Sequence, residues 1–268
     1  MRYKLTIEYD GTTLLGWQRQ ADGPSAQEYV ETAISCFNGV EKVSADEKGN
    51  VYNPFNIFGK EPQCCLYCAG RTDTGVHALA QVAHFDMEKD VDEFRLLQGI
   101  NHHLRTAEAP VSIIKAEKVA ADFHARFSAT GRSYIYKILN RRAFPALQKN
   151  RVWWVPSPLD VEKMREAAKY LLGHHDFTSF RAAACQAKSP MKTLDRLDIF
   201  QNGEEIDFIV EARSFLHHQV RNMVGTLKMV GSGQLEPEKI KDILAAKDRT
   251  KSGPNAPACG LYLSEVKY

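Results

Sequence analysis

The sequence is poor in cysteine and has no long hydrophobic run. Its 268 residues include six cysteines, too few for the disulfide framework of a small secreted domain. No apolar stretch approaches the roughly 18 residues that a membrane span requires, and the first residues lack the apolar core of a signal peptide. We therefore expect a soluble, cytoplasmic protein without a membrane partner.

Three of the cysteines, Cys64, Cys65 and Cys68, form a small cluster that contains one Cys-x-x-Cys pair. A structural zinc site usually needs a second pair of ligands at matching spacing. The sequence offers no such pair nearby, so we expect reduced thiols and no metal site.

The sequence also lacks a large excess of charge of either sign. A net charge of +2 says little about binding partners. The distribution is more informative, because residues 126–151 contain seven basic residues, no acid and several interleaved aromatic residues. Positive charge beside aromatic faces suits a phosphate backbone with unstacked bases. A solvated surface with ordinary core aromatics would give the same pattern.

Hydrophobic periodicity places the main elements. Alternation over residues 3–10 predicts a first strand, and Ser25 with Glu28 forms a capping box that opens a helix. Residues 44–66 lose all periodicity and predict a long loop. Further strands are predicted over 81–86, 111–119, 133–139 and 261–268. Further helices are predicted over 91–104, after an N-cap at Asp160 up to Gly173, over 220–230 and from Pro237. The helical spacing places Val91, Phe94, Leu97 and Ile100 on one face of the helix over 91–104, and Val220, Met223, Val224, Leu227 and Val230 on one face of the helix over 220–230.

The dipeptide Asn202-Gly203 between two alternating segments predicts a β-hairpin. Hairpins favour antiparallel pairing, and strands and helices are mixed along the whole chain. This combination predicts the α+β class. We expect two α+β parts, an N-terminal half over residues 1–110 and a C-terminal half over residues 111–268.

The segment Gly70-Arg-Thr-Asp-Thr-Gly75 could carry chemistry. Its glycines allow a tight turn and a close substrate, and Arg71 would keep Asp73 ionised, as a nucleophile requires. A loop whose aspartate caps its own backbone would explain the bare pattern as well. Asp73-Thr-Gly75 is also the tripeptide of aspartic proteases, but that chemistry needs two such carboxylates, and the sequence has no second copy.

Ala69-Gly-Arg-Thr-Asp-Thr-Gly-Val-His77 resembles the catalytic signature of the tRNA pseudouridine synthase A family. Further segments resemble the same family in the same order along nearly the whole chain. These are Ile7–Gly11, Gly16–Gln20, Asp122–Thr130, Tyr134–Tyr136, His175–Arg181, Cys185-Gln186, Phe215–Leu227 and Ala256–Leu261.

The resemblance implies the pseudouridine synthase fold, a mixed and mostly antiparallel sheet with helices in two related halves that flank a cleft. The N-terminal half would carry the catalytic loop, and the C-terminal half would complete the base pocket. The resemblance also implies a homodimer acting on tRNA, at uridines 38 to 40 of the anticodon stem-loop. No cofactor is implied, because the isomerisation involves neither a net redox change nor a group transfer.

Residue roles follow from the same resemblance. Asp73 matches the nucleophile, Tyr134 the ring that stacks on the flipped base, and Arg181 the basic partner of the catalytic carboxylate. Leu261 matches an apolar residue of the base pocket, and Arg71 an arginine that takes the place of the extruded base. We also expect Arg19, Arg126, Arg132 and Arg221 to bind substrate.

The chemistry of attack stays open. Asp73 could attack C1′ through an oxocarbenium-like transition state, deprotonate C2′, or add to C6 of the base. Alternative functions are a non-catalytic RNA-binding module, a dimeric aspartic protease, and a synthase that acts on another RNA position.

Two pairs of ring residues carry separate expectations. Tyr136 and Phe127 are expected to pack in the core, on the argument that alternate strand faces rarely both meet a ligand. His217 and His218 are predicted to be helix neighbours, which diverge by about 100°. Their imidazoles are therefore expected to face solvent or RNA rather than a metal.

Several positions depart from the family pattern. Thr74 stands where alanine is common, Arg105 where proline is usual, and Gln219 where an apolar residue is usual. The 44–66 loop is longer than the family's usual link into the catalytic segment. It fits a surface insertion, and a role in gripping RNA near Asp73 is the alternative hypothesis.

Overall fold

The computed structural model describes residues 1–39, 64–183 and 185–268. Most of the predicted 44–66 loop therefore lies outside the described residues. The chain divides into two compact units, residues 1–129 with Tyr268 and residues 130–267. This division falls later than the expected one after residue 110, because the strand over residues 111–119 pairs with the first strand of the chain.

The first unit is built on an antiparallel sheet. Its strands are β1 (Arg2–Tyr9), β2 (Tyr67–Cys68), β3 (His77–Asp86) and β4 (Val111–Val119). The order is β4-β1-β3, with β2 paired to β3. Every second residue of β1 is buried from Tyr3 to Tyr9, which confirms the first predicted strand.

Two helices pack against each other and against β4 in the first unit, α1 (Ala26–Phe37) and α2 (Glu93–Thr106). The Ser25 hydroxyl accepts a hydrogen bond from the Glu28 amide at 3.3 Å, so the predicted helix start is confirmed. Asn101 of α2 exchanges two hydrogen bonds, each 2.8 Å long, with the backbone of Ile113 in β4. This side chain fixes the helix to the sheet.

The predicted face of α2 is only partly confirmed. Phe94, expected on the core side, is 69% exposed, whereas Leu96, Ile100 and Leu104 are buried. The helix begins after an N-cap at Asp92, and the buried residues repeat every four positions from Leu96. The apolar residue Phe94 lies outside that stripe.

The described residues of the second unit form six strands, of which β6 is parallel to β5 and the other pairs are antiparallel. They are β5 (Gly131–Leu139), β6 (Trp153–Trp154), β7 (Gly173–Asp176), β8 (Met191–Asn202), β9 (Glu205–Ala212) and β10 (Leu261–Lys267), in the order β10-β5-β9-β8-β7 with β6 beside β5. Asn202 pairs with Glu205 across a tight turn in which Gly203 has φ of 59°. The predicted hairpin and the α+β class are both confirmed.

Three helices complete the second unit: α3 (Val161–Lys169), α4 (Gln219–Gly231) and α5 (Lys239–Ala246). Asp160 caps α3 through a 3.0 Å hydrogen bond from the Lys163 amide, as predicted. The helix ends before the expected stop at Gly173, which instead opens β7 with φ of +93°.

Helix α4 is the buried helix of the second unit. Its predicted face is confirmed, because Val220, Met223, Val224, Leu227 and Val230 are all buried. None of the helices in the described ranges is long and apolar enough to cross a membrane.

Candidate active site

The catalytic candidate Asp73 lies in the Asp73 loop, residues 69–77, which runs between β2 and β3. The start of the loop is fixed to β3 by two hydrogen bonds. The Ala69 amide donates to the Val82 carbonyl at 2.8 Å, and the buried Gln81 side chain donates to the Gly70 carbonyl at 2.7 Å. The loop therefore starts from a rigid strand edge.

Two glycines of the first unit press directly against the Asp73 loop. A Cβ atom on Gly11 would lie 2.1 Å from the Val76 carbonyl oxygen, and one on Gly16 would lie 2.5 Å from the Thr72 carbonyl oxygen. Gly16 also has φ of +95°, a conformation that favours glycine. The backbone at both positions can approach the loop only because no side chain intervenes.

We call the close approach of Gly11 and Gly16 to the Asp73 loop the glycine clamp. Hydrogen bonds add to it. The Trp17 amide donates to the Thr72 carbonyl at 3.1 Å, and the hydroxyls of Tyr9 and Thr72 lie 2.7 Å apart in a buried contact. The segments around Gly11 and Gly16, two of the motifs that carry the family resemblance, thus hold the loop from one side.

His77 closes the far end of the loop and is buried. Its Nδ1 accepts a hydrogen bond from the Gly11 amide at 2.9 Å and lies 3.2 Å from the Asp10 carboxylate. His77 therefore serves to position the loop.

Asp73 itself sits at a tight turn. Its carbonyl accepts a hydrogen bond from the Val76 amide at 3.1 Å, and Gly75 supplies a positive φ of 77°. The Asp73 side chain is half-buried, and Arg71 in the same loop is exposed. The turn fixes the Cα position of Asp73 through backbone contacts.

In the second unit, strand register brings two of the predicted residues together. Tyr134 of β5 pairs with Leu263 of β10, and Leu261 pairs with Tyr136. Residues two apart on a strand share a face, so Leu261 and Tyr134 are diagonal neighbours on one face. The Tyr134 ring packs edge-on against Phe215, with ring centroids 5.2 Å apart. This arrangement presents an aromatic ring beside an apolar side chain.

Tyr136 is fully buried, as expected. Its hydroxyl donates to the Pro257 carbonyl at 2.8 Å, and burial raises its pKa well above the usual value. The argument behind the expectation was wrong, however, because Tyr134 and Tyr136 are two residues apart and share a strand face. Tyr136 is fully buried at its place along β5, whereas Tyr134 is only half-buried.

Helix α4 organises the remaining candidates of the second unit. The buried Asn222 side chain donates to the Phe180 carbonyl at 2.8 Å, which holds the turn just before Arg181. Arg221 donates through Nε to the Ala256 carbonyl at 2.7 Å, which holds the segment that leads to Leu261. Asn222 had no signal in the sequence, because an isolated polar residue in a helix does not reveal its partner.

Gln219 explains one departure from the family pattern. It is buried, and its Oε1 accepts a hydrogen bond from the Leu216 amide at 2.8 Å, so it serves the start of α4. Its Nε2 has no hydrogen-bond partner among the described residues.

The predicted arginines differ in their surroundings. Arg19 forms ion pairs with the buried acids Glu28 at 3.2 Å and Glu31 at 3.1 Å. Burial raises the pKa of both carboxyls, and the charge of Arg19 opposes that rise. Arg132 donates to the Arg213 carbonyl at 2.7 Å, and Arg126 is exposed. Substrate binding by these residues stays a prediction.

Two expectations about rings are wrong. Phe127 is 76% exposed, because it lies in the connection between β4 and β5 rather than in the core. His218 has a left-handed φ of 62° and precedes α4, which begins at Gln219. The His217 and His218 rings therefore lie 4.0 Å apart instead of diverging as helix neighbours would.

The cysteine cluster is partly buried. Burial raises the pKa of Cys64 to about 12 and that of Cys68 to about 11. Both side chains are therefore protonated thiols at neutral pH, and metals bind the thiolate. The absence of a metal site stays a prediction.

Similar proteins identify the family to which this chain belongs. A family model described as tRNA pseudouridine synthase matches residues 167–268. A protein of Paramagnetospirillum magneticum named tRNA pseudouridine synthase A is 52% identical over 267 residues, covering 100% of this chain and 95% of the relative. Relatives with the same name in Rhodospirillum centenum and Mesorhizobium japonicum are 49% and 50% identical, covering 100% of this chain and 99% of each relative.

Among solved structures, a chain titled "Crystal Structure of a Cbf5-Nop10-Gar1 Complex" is similar with a TM-score of 0.36 and 11% identity, covering 84% of this chain and 45% of that chain. The assignment rests on the sequence relatives instead. They define the class of protein as a pseudouridine synthase, and the expected α+β fold with a mostly antiparallel sheet is confirmed. Within that class, the chain belongs to the tRNA pseudouridine synthase A family, which confirms the resemblance and removes the protease alternative.

Proposed function

We propose that this enzyme isomerises uridine to pseudouridine in tRNA, at uridines 38 to 40 of the anticodon stem-loop, with Asp73 as the nucleophile. The sequence identity of 52% over the whole chain to a protein named tRNA pseudouridine synthase A supports the reaction and the substrate. The observation that carries the role of Asp73 is its loop, which the backbone at Gly11 and Gly16 holds in place.

The reaction explains why such a loop is useful. The N1–C1′ bond breaks, the uracil turns, and a C5–C1′ bond forms, while C5 loses a proton and N1 gains one. Atoms and electrons balance without a cofactor. A carboxylate held in one position avoids the entropic cost of orientation at the moment of attack. Attack at C1′, deprotonation at C2′ and addition at C6 each require a carboxylate that is held in place next to the nucleotide.

The second unit supplies the proposed base pocket. Extruding a uridine from a stem costs a few kcal/mol, and stacking on an aromatic ring offsets part of that cost. Tyr134 and Leu261, diagonal neighbours on one sheet face, offer such a ring with an apolar neighbour. Arg181, which follows a turn held by Asn222, is the proposed basic group of the reaction.

The proposed tRNA contacts are electrostatic. Arg71 is the residue proposed to replace the extruded base, and four further arginines are proposed to bind phosphates. These are Arg19, Arg126, Arg132 and Arg221. Raising the salt concentration should therefore weaken tRNA binding steeply.

We further propose that the enzyme acts in the cytoplasm as a homodimer, as the family resemblance implies. Sedimentation equilibrium measures the mass directly. A mass of twice the 30.2 kDa chain is expected, and a monomer at assay concentrations would contradict this part of the proposal.

Mapping the product tests the reaction and its position together. Unmodified tRNA is incubated with wild type or with Asp73→Asn, and pseudouridine is located by carbodiimide-dependent primer extension. Wild type should give signal at uridines 38 to 40, and Asp73→Asn should give none. Asp22→Asn, a change at an exposed acid of the same unit, is the matched control and should behave as wild type.

The outcomes separate the parts of the proposal. Signal with Asp73→Asn at the wild-type level would refute the nucleophile. Signal at other uridines would refute the position and leave the chemistry intact. No signal with a folded wild type on any tRNA would refute the reaction.

A further inference from the structure

Four rings of the first unit form a continuous row outside the residues assigned to chemistry. The ring centroids are 5.2 Å apart for Tyr67 and His84, 4.6 Å for His84 and His124, and 4.3 Å for His124 and Phe127. We call these four residues the ring row. Its ends are open to solvent, because Tyr67 is 51% exposed and Phe127 is 76% exposed. Adjoining exposed rings are characteristic of contact sites.

Hydrogen bonds to the neighbouring backbone hold the ring row in place. His84 is buried, and its Nδ1 accepts a hydrogen bond from the Ala125 amide at 3.1 Å. The Ala125 carbonyl accepts another from the Tyr268 hydroxyl at 2.8 Å, and Arg2 donates to the Phe123 carbonyl at 2.9 Å. The segment that carries Phe127 is thus fixed on several sides. A ligand would meet a preformed surface, which lowers the ordering cost of binding.

The imidazoles in the row are suited to stacking. Burial, with a smaller contribution from His124, lowers the pKa of His84 to about 4, so its ring is neutral at physiological pH. The Nδ1 of His124 accepts a hydrogen bond from the Arg126 amide at 3.1 Å. Both rings therefore have a nitrogen occupied by the backbone. His84 stacks on Tyr67 with an interplanar angle of 23°, and His124 lies tilted against Phe127 at 37°.

Positive charge flanks the row. The Arg126 guanidinium lies 5.9 Å from the Phe127 ring centroid. At the other end, Cys68 follows Tyr67, and the charges of Arg71 and Arg126 both oppose the burial that raises the pKa of Cys68. Arg71 belongs to the Asp73 loop, so positive charge from that loop acts near the Tyr67 end of the row.

The acidic residues Asp86 and Asp122, which lie near the row, both interact with Arg2. Asp86 forms an ion pair of 2.7 Å with Arg2, and the charge of the exposed Asp122 also acts on Arg2. Arginine beside open aromatic faces is the combination that binds a nucleotide, through its phosphate and its base.

We propose that the ring row binds a second, unpaired nucleotide of the RNA substrate, with its base stacked on Phe127 and its phosphate on Arg126. This inference rests on the proposed function, because the nucleotide belongs to the same tRNA. The base differs from the target uridine, which is assigned to Tyr134. Phe127 is thereby a substrate-binding residue outside the catalytic set.

Three substitutions at Phe127 test the stacking. Stacking of one base contributes enough that Phe127→Ala should weaken the Kd for tRNA about tenfold. Phe127→Leu keeps an apolar side chain without a ring and should weaken binding similarly, whereas Phe127→Tyr should bind as wild type does. The KM should rise with the Kd while kcat at saturating tRNA stays unchanged. Filter binding of a tRNA transcript and steady-state kinetics measure these quantities.

Phe94→Ala is the matched control, since Phe94 is a ring of the same unit that is 69% exposed and lies on α2, outside the ring row. Its tRNA affinity should equal that of wild type. Equal melting temperatures for all variants would show that Phe127 acts through contact rather than folding.

Several results would overturn the inference. Wild-type affinity for Phe127→Leu would show that apolar area, not a ring, is needed. A loss of kcat alone would place Phe127 in the chemistry. A change in oligomeric state with unchanged tRNA affinity would make a second copy of the chain the partner. The binding assay needs no turnover, so failure of the proposed reaction is distinguishable from failure of this site.

Discussion

The Asp73 loop and the turn before Arg181 are held by different means. In the first unit, close backbone contacts at Gly11 and Gly16 add to the side-chain hydrogen bonds of the Asp73 loop. In the second unit, the Asn222 side chain of α4 holds the turn before Arg181. A close backbone contact tolerates no added atom, whereas a side-chain hydrogen bond can be weakened in steps. Substitutions should therefore act in an all-or-none manner at Gly11 and gradually at Asn222.

The largest effect is expected for Gly11→Ala. The new Cβ would lie 2.1 Å from the Val76 carbonyl oxygen, so either the loop or β1 must shift. Overpacking of this kind should lower the free energy of unfolding by about 3 kcal/mol, and pseudouridine formation should be lost. Urea unfolding and single-turnover kinetics measure the two effects.

Gly70→Ala is the stability control for this substitution, because a Cβ at Gly70 has no atom within 4 Å. Its free energy of unfolding should stay close to that of wild type. Equal stability losses at the two glycines would contradict the clamp.

A smaller effect is expected for Asn222→Ala in the second unit. The variant loses the 2.8 Å bond to the Phe180 carbonyl and the 2.9 Å bond from Arg249. Leaving buried partners unpaired should cost about 2 kcal/mol. The kcat should fall only partly, because Arg181 is still present and only the turn that positions it is loosened. Complete loss of activity with a folded protein would erase the contrast between the units.

Acidification should affect the first unit at higher pH than the second. The pKa of His84 is lowered from 6.5 to about 4 by burial. Between these values the unfolded chain binds a proton that the folded chain does not. Stability is therefore full above pH 6.5 and falls towards pH 4, by about 1 to 2 kcal/mol between pH 7 and pH 5. His84→Asn should remove that part of the pH dependence of urea unfolding.

The second unit offers the comparison through Asp176. Burial opposes the shift, but hydrogen bonds from Thr178 lower the pKa of this carboxyl below 3.8. Its contribution is present above 3.8 and is lost only as the pH falls below that value. Hydrogen exchange at pH 5 should show faster opening around His84 and no change around Asp176. Equal changes at both places would refute the assignment.

The smallest effect is expected for Thr74→Ala inside the Asp73 loop. Thr74 is exposed, and surface substitutions usually change the free energy of unfolding by less than about 0.5 kcal/mol. Activity should stay close to that of wild type. A large loss in this variant would show that the loop depends on side chains as well as on backbone contacts.

Long amphipathic elements were predictable because their apolar spacing fixes the buried face. Helix α4 and strand β1 match their predicted patterns residue by residue. The buried face of helix α2 was predicted only in part. Phe94 and Leu96 are both apolar, and the spacing alone does not show which of the two is buried. The left-handed backbone at His218 and the exposure of Phe127 had no local signal.

The candidate residues were predictable, but the means of holding them were not. Motif resemblance supplied Asp73, Tyr134 and Arg181. The contact of Gly11 with Val76 joins positions far apart in sequence, and its cause is visible only in three dimensions. A glycine at a strand end signals a turn, not the element that packs against it.

Single-turnover kinetics test whether Asp73 is the nucleophile. Excess enzyme is mixed with unmodified tRNA, and pseudouridine formation is followed in a single turnover for wild type and Asp73→Asn, with the Kd for tRNA measured in parallel. Wild type should convert the tRNA fully, Asp73→Asn should convert none, and the two Kd values should be equal. Conversion by Asp73→Asn at the wild-type rate would show that Asp73 is not the nucleophile.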